Sequence, residues 1–331
     1  MVGTESCRCL RHGLGTLLTT DKTRSAAKVR AERVLVTGAA GFIGSALCRA
    51  LVQSGAEVHA TSRSRRTSDD PVSWWQVDLS RPEAVAGVLR RVKPGIVFHL
   101  ASHVSGNRAL EAVLATVRDN LLATINVLTA ACEMDKPRVI MAGSMEECDI
   151  GEANAVPVSP YAAAKTAAST YARMFHGLYA LPVVNLRIFM VYGPGQHDTA
   201  KLVPYVTTSL LRGEPPRLSS GRREIDWIFV DDVVAAFLAA AQAPRADGQT
   251  VDVGSGELIT VRSIVERIAE LVGGSTRPVF GALNDRPVEH RRVADVARSA
   301  EIIGWRPRTI VADGLVQTVQ WFRARYEAEK R

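Results

Sequence analysis

The chain of 331 residues has no apolar run approaching the roughly 20 residues needed to span a bilayer, so it presents no transmembrane helix. Cysteine is scarce: Cys7, Cys9, Cys48, Cys132 and Cys148 are odd in number and have no zinc-ligand spacing. That pattern speaks against a disulfide framework or a metal centre and points to a reducing cytoplasm. Cys48, inside an apolar helical pattern, reads as a small buried hydrophobe. A dominant charge is also missing. The net charge is +7, but six Lys/Arg against two Asp/Glu in residues 1–31 account for +4 of it. The rest is only mildly basic, which argues against nucleic acid as a partner. Residues 1–31 lack the apolar stretch of a secretory signal, and the acidic Glu5 and Asp21 are out of place in a transit peptide. They read as a disordered tail without chemistry.

What is present is enough apolar material, 47% of residues, for a sizeable core. From residue 33 strand-like and helix-like patterns alternate. Strands are expected at Arg33–Thr37, Glu57–Thr61, Trp74–Val77, Ile96–His99, Arg138–Ala142 and Val183–Phe189. Helical patterns fall at Phe42–Ser54, Pro82–Arg91, Asn107–Glu133 and Tyr161–Tyr179. β-Branched runs buried on both faces, alternating with helices, imply an α/β fold: a Rossmann-type doubly wound parallel sheet. After Gly193 the rhythm breaks into loops such as "GPGQHD" and "RGEPPRLSSGRR", with helices expected near Asp231–Gln242, Val261–Val272 and Val311–Glu327. The expected division is a dinucleotide-binding unit at 32–190 and a smaller substrate lobe at 191–331, some of whose segments return to the sheet.

"TGAAGFIG" supplies Gly38, Gly41 and Gly44 between the first strand and the first helix. The first glycine permits the turn, the second clears space for a pyrophosphate, and the third lets helix and strand approach. The helix beginning at Phe42 and Ile43 then aims its amides and dipole at the phosphates. At the end of the second strand an NAD site usually offers a carboxylate to the ribose. Here "ATSRSRR" offers Thr61, Ser62, Arg63 and Arg66. Hydroxyls and guanidinium forks suit a 2′-phosphate, so NADP(H) is expected over NAD(H), which stays possible. Asp78 in "VDLS" is expected at the adenine edge.

"SPYAAAK" places Tyr161 and Lys165 four apart, hence on one helical face, while "VIMAGSMEE" ends a strand with Ser144. A phenol titrates near 10, and a nearby ammonium is expected to lower that value toward working pH. Ser144 would then bond the substrate oxygen whose charge changes during hydride transfer.

Taken with "VFHLAS" (97–102), "DN" (119–120), "VYGPGQ" (191–196), "DWIFVDDVV" (226–234), "RP" (286–287) and "IGWRP" (303–307), these residues resemble an extended short-chain dehydrogenase/reductase. The resemblance, from about residue 33 to 325, is to the NAD-dependent epimerase/dehydratase family, which acts on nucleotide sugars. It implies cofactor contacts from Leu79, Leu100, Ala101, Ser102 and Asn120 as well as Tyr161 and Lys165. It also implies a helix-bundle homodimer. Within the family "GSMEE" is similar to the segment of GDP-4-keto-6-deoxymannose reductases, implying a 4-ketoreductase of deoxysugar biosynthesis. Tyr161 would donate the proton, Lys165 tune it, Ser144 orient the ketone and Glu146 hold the sugar. A 4,6-dehydratase or an epimerase would use the same Ser/Tyr/Lys set, although Met145 stands where one dehydratase class has its acid and a thioether cannot donate a proton. A non-catalytic NADP-binding protein is the remaining alternative. For the nucleotide sugar, the resemblance implies Arg286 and Arg222 on the diphosphate, Lys201 and Leu202 along the base, Glu289 at the ribose and His103 beside the sugar. Cys148-Asp149, Met190 and Ile225 depart from the family pattern.

Overall fold

In the first strand Val34 and Val36 enter one apolar cluster, and Leu35, facing the opposite way, enters another. The same division holds for Ile96 and Phe98 against Val97, and for Ile140 against Val139 and Met141. Strands with apolar side chains on both faces must be covered on both sides, and helices do this. The computed structural model describes residues 32–66, 71–149, 155–286 and 291–330.

The main sheet is built from β1 (Arg33–Thr37), β2 (Glu57–Ser62), β3 (Val72–Gln76), β4 (Ile96–His99), β5 (Arg138–Ser144), β6 (Val183–Ile188) and β9 (Thr250–Val253), all parallel, in the order β3-β2-β1-β4-β5-β6-β9. Helices α1 (Phe42–Gln53) and α7 (Val230–Ala241) pack together on one face. The other face carries α2 (Pro82–Val92), α3 (Ala112–Thr116), α4 (Ala123–Cys132) and α5 (Pro160–Tyr179). Between α3 and α4 the helix widens into a π-turn, Val117–Leu122. The segment 101–111, expected to begin a helix at Asn107, is irregular until Ala112.

Beyond β6 a smaller sheet, β10-β8-β7, forms from β7 (Met190–Tyr192), β8 (Glu224–Phe229) and β10 (Leu258–Thr260). It is joined by α6 (Leu202–Leu211), α8 (Val261–Val272), α9 (Val296–Ile303) and α10 (Val311–Glu329). One cluster runs without interruption from Val34 and Leu47 through Ile188 and Trp227 to Val265 and Leu315, so this lobe shares its core with the sheet. Two aspartates of "DWIFVDDVV" pin its loops. Asp226, fully buried, accepts from Ser255 N (2.6 Å), Ser255 Oγ (2.8 Å), Gly256 N (3.0 Å) and Ala294 N (3.0 Å). Asp232 accepts from Arg308 N (3.0 Å) and Thr309 N (2.9 Å). Among the described residues no helix is long and apolar enough to cross a membrane.

Asp226→Ala leaves the Ser255, Gly256 and Ala294 amides without their acceptor, and we expect it to lower stability by about 3 kcal/mol. A reduced urea midpoint with an unchanged slope would show this; an unchanged midpoint would refute the anchoring role.

Candidate active site

The carboxyl ends of the strands open into a cleft of about 2400 Å³ between the sheet and the smaller lobe. The glycine turn forms one wall. Gly38 adopts a left-handed φ of 68°, and a Cβ there would lie 2.6 Å from Ala101 N. A Cβ on Gly44 would lie 2.2 Å from Gly38 O, so the close approach of α1 and β1 explains that glycine. Gly41 is different. It lines the cleft, and the one atom near a Cβ there would be Gly38 O at 3.2 Å, leaving the other side open to a ligand. Gly41 caps α1 without a side-chain hydrogen bond, so no side chain occupies the first amides of the helix. Phe42, Ile43, Ser62, Arg63, Arg66, Asp78, Leu79, Leu100, Ala101 and Ser102 continue the lining. This cradle fits a dinucleotide pyrophosphate.

Near the end of β2 the charges are arranged as follows. Arg63 is exposed and lies 3.4 Å from Asp119, while Arg66 stacks over Trp74 with 5.1 Å to the ring centroid. Asp78 accepts from the Ser80 amide (3.0 Å) and hydroxyl (2.8 Å), which holds its carboxyl below the usual range. Asn120 is not part of the cleft wall. It is buried in the π-turn, where it accepts from His103 N (2.6 Å) and Ser102 Oγ (3.2 Å) and donates to His103 O (3.0 Å). The expected direct cofactor contact is therefore corrected to a role at one remove: Asn120 sets the loop that lines the cleft. His99 is similarly structural. Thr37 Oγ1 and Thr124 Oγ1 bracket its ring nitrogens at 2.8 and 3.0 Å, and burial drives its pKa down to about 3. Cys48 is buried as expected, its thiol pushed up to about 12.

β5 delivers Ser144, and the first turn of α5 delivers Tyr161 and Lys165. The helix starts there because Ser159 caps it, its Oγ accepting from Ala162 N at 3.0 Å, and Pro160 occupies the first turn. All three side chains are buried at the cleft floor. The Tyr161 phenol has the hydroxyls of Ser144 and Ser102 as hydrogen-bond partners. Lys165 Nζ donates to Ala142 O at 2.7 Å and lies 5.9 Å from the Tyr161 ring centroid.

The net shift of the phenol is upward rather than the expected downward one, because burial outweighs the groups that pull it down. Burial pushes Tyr161 above its ordinary value and the carboxylates of Glu146 and Glu147 push the same way, against the pull of Ser144 and Ser102. Burial brings Lys165 down to about 8, opposed by the charge of Glu147. That glutamate escaped the sequence reading. It is buried beneath the Ser144 turn, accepting from Ser144 N (2.7 Å) and Asn185 Nδ2 (3.0 Å), and burial raises its own pKa. Its signal was present in the polar Asn185 amid the apolar run "VVNLRI", which needs a buried partner.

Glu146 faces the cleft and accepts from Ser159 Oγ at 3.3 Å. Met145 beside it, and Met190, His103, Lys201, Leu202, Arg222 and Arg286, line the same space. Arg286 reaches the loop opposite, where a Cβ on Gly106 would come within 2.9 Å of its Nη1. Glu289 lies outside the described residues. No cluster of His, Cys, Asp and Glu suited to a metal occurs among the described residues.

Residues 34–254 match the model of the NAD dependent epimerase/dehydratase family. The chain belongs to that family. A UDP-glucose 4-epimerase of Mycolicibacterium smegmatis is 32% identical over 88% of this chain and 98% of its own length. A dTDP-glucose 4,6-dehydratase of Streptomyces niveus is 30% identical over 88% of this chain and 93% of its own. Among solved structures, the Thermus thermophilus UDP-glucose 4-epimerase in complex with NAD superposes with a TM-score of 0.77 at 30% identity, covering 88% of this chain and 99% of that one. The protein is thus an NAD(P)-dependent enzyme of the epimerase/dehydratase type. The relatives' names favour that reading over the 4-ketoreductase to which "GSMEE" pointed.

Turnover that needs the Lys165 ammonium should fall as pH rises through about 8, where that group loses its proton. Glu147→Gln removes the negative charge that stabilises the ammonium, so the alkaline limb of kcat should move to lower pH. A limb that stays in place would separate Glu147 from Lys165.

Proposed function

We propose that the enzyme interconverts the C4 epimers of a nucleoside diphosphate hexose. The observation that carries this is Met145 beside Ser144 at the cleft wall. Elimination of water across C5 and C6 asks for a base and an acid in addition to the groups that oxidise C4. A thioether supplies neither, and Glu146 is left alone for two tasks. Epimerisation asks only for what Ser144, Tyr161 and Lys165 provide. The cleft volume is more than twice the upper limit of about 1,000 Å³ for single small-ligand pockets, which accommodates a dinucleotide and a nucleotide sugar together.

A bound nicotinamide would supply a hydride acceptor that later returns the hydride. Around it the chain's own groups handle the proton. As the phenolate, Tyr161 would take the proton of the C4 hydroxyl when C4 is oxidised and give it back on reduction. Ser144 donates to the same oxygen as it changes from hydroxyl to ketone and back. Lys165, held by Ala142 O, keeps a positive charge near the phenol and favours the phenolate during the transfer. Lys201, Arg222 and Arg286 offer cations to the diphosphate.

The dinucleotide we assign is NADP(H) ahead of NAD(H), supported by Ser62, Arg63 and Arg66 at the end of β2, where none of the residues Thr61 to Arg66 is acidic. The setting is a cytoplasmic homodimer. Supporting this, Cys48, Cys132 and Cys148 are free thiols, and α3–α4 and α5 expose Leu114, Val117, Leu122, Tyr171 and Leu178.

With UDP-glucose as probe, the reading predicts an isomer of equal mass and no net change in nicotinamide absorbance. Loss of water would identify a dehydratase instead, and stoichiometric consumption of NADPH with a 4-keto sugar a reductase. Tyr161→Phe should lower kcat by about 10²–10⁴-fold while leaving dinucleotide binding intact; undiminished turnover would remove the tyrosine from the mechanism. In fluorescence titrations NADP should bind tighter than NAD, and Arg63→Ala should cost NADP about tenfold with little effect on NAD. Tighter NAD binding by the unaltered protein would reverse the cofactor assignment.

A further inference from the structure

The turn after β5 is held from outside the cleft by a residue that no motif singles out. Arg292 Nη1 donates to Met145 O (3.0 Å) and to Glu147 O (2.6 Å), and its Nη2 pairs with Asp149 at 2.5 Å. A single guanidinium thus spans three successive alternate residues of the segment that carries Ser144 and Glu146. The ion pairs continue. Asp149 bonds Arg187 Nη1 (2.7 Å), and Arg187 Nε bonds Asp252 on β9 at 2.6 Å. Asp252 in turn accepts from Asp295 N at 3.1 Å, three residues beyond Arg292. The ion pairs thus run from Arg292 to Asp149 to Arg187 to Asp252, and Asp252 ends the run on the backbone amide of Asp295. It ties the turn to β6, β9 and the start of α9.

We propose that Arg292 is a positioning residue that fixes the Ser144–Glu147 turn in its working geometry, with Asp149 and Arg187 orienting its guanidinium. This rests on the epimerase/dehydratase reading of the cleft. The geometry supports a fork specifically: two carbonyls and a carboxylate are met from two nitrogens of one planar group, a span that the single nitrogen of an ammonium does not reproduce. Arg292 contributes no atom to the cleft wall, so its effect passes through the turn. Glu147 is the natural relay. Its backbone oxygen is held by Arg292, while its carboxylate receives the Ser144 amide and faces Lys165. Asp149 is the joint between the two arginines.

The test uses Arg292→Met and Arg292→Lys in the full chain, with melting temperature as the control for folding. For Arg292→Met kcat should fall about a hundredfold, as expected for displaced reacting groups, with KM for UDP-glucose and dinucleotide affinity nearly unchanged. Arg292→Lys keeps the ion pair but not the fork and should fall between. Asp149→Asn should add little to Arg292→Met. Amide hydrogen exchange over residues 139–149 is the second readout and needs no turnover: exchange at Ser144 and Glu147 should speed up in Arg292→Met. Unchanged exchange, or an equal rise in KM with kcat preserved, overturns the proposal. Absence of any turnover in the unaltered protein would instead count against the reading of the cleft, with the exchange result still deciding the role of Arg292.

Discussion

Everything at the cleft floor depends on keeping one ammonium out of water without losing its charge. A buried lysine without partners would surrender its proton, because burial penalises the charged form. Lys165 has a carbonyl at 2.7 Å and a buried carboxylate facing it, and the balance leaves it titrating at about 8. That carboxylate is in turn expensive to bury, and Glu147 is maintained by the Ser144 amide, Asn185 and the positive charges around it. Ser144, Glu147 and Lys165 are thus one electrostatic unit, on which the Tyr161 phenol rests. Removing any member leaves another buried without compensation.

The same reasoning explains why the fold places this unit where it does. β5 and β6 are interior strands of the seven-stranded sheet, and their register sets Ser144 beside Ile188 and Met141 beside Asn185. A central strand end gives a polar group rigid support and little water. Glycines do the complementary job at β1, where backbone must approach backbone or a phosphate. The lobe after β6 closes the cleft from the other side, and it does so as part of the same core, with Trp227 and Phe229 in one cluster with Val34 and Phe98.

Six of the seven strands of the main sheet were legible from their apolar, β-branched runs, whereas the four-residue β9 was not singled out because it enters the sheet from the later lobe. The lobe was not. β7 and β10 have three residues each and gain meaning only by pairing with β8, far away in the chain. Helix α6 carries Pro204 near its start and reads as loop until the Pro is seen in the first turn, where its missing amide costs nothing. In the cleft, Ser144, Tyr161, Lys165 and the glycines were named from spacing and position. The sign of the Tyr161 shift was not available in that way, because spacing reports who is near and burial decides what nearness does. Glu147 and Arg292 were hidden for another reason: their partnerships join positions some 38 and 145 residues apart, and no local pattern records them.

The π-turn between α3 and α4 has a price in helical regularity, and its location shows what is obtained. Thr124 bonds back to Asn120 O at 2.6 Å and meets His99, while the Asn120 side chain clasps the backbone at His103. Taking out one residue would restore an ordinary helix but swing whatever precedes the deletion by about 100° about the axis. Asn120 and Thr124 would then no longer face the sheet edge together. A regular helix here would release its grip on a wall of the cleft, so the irregularity is what holds that contact in place.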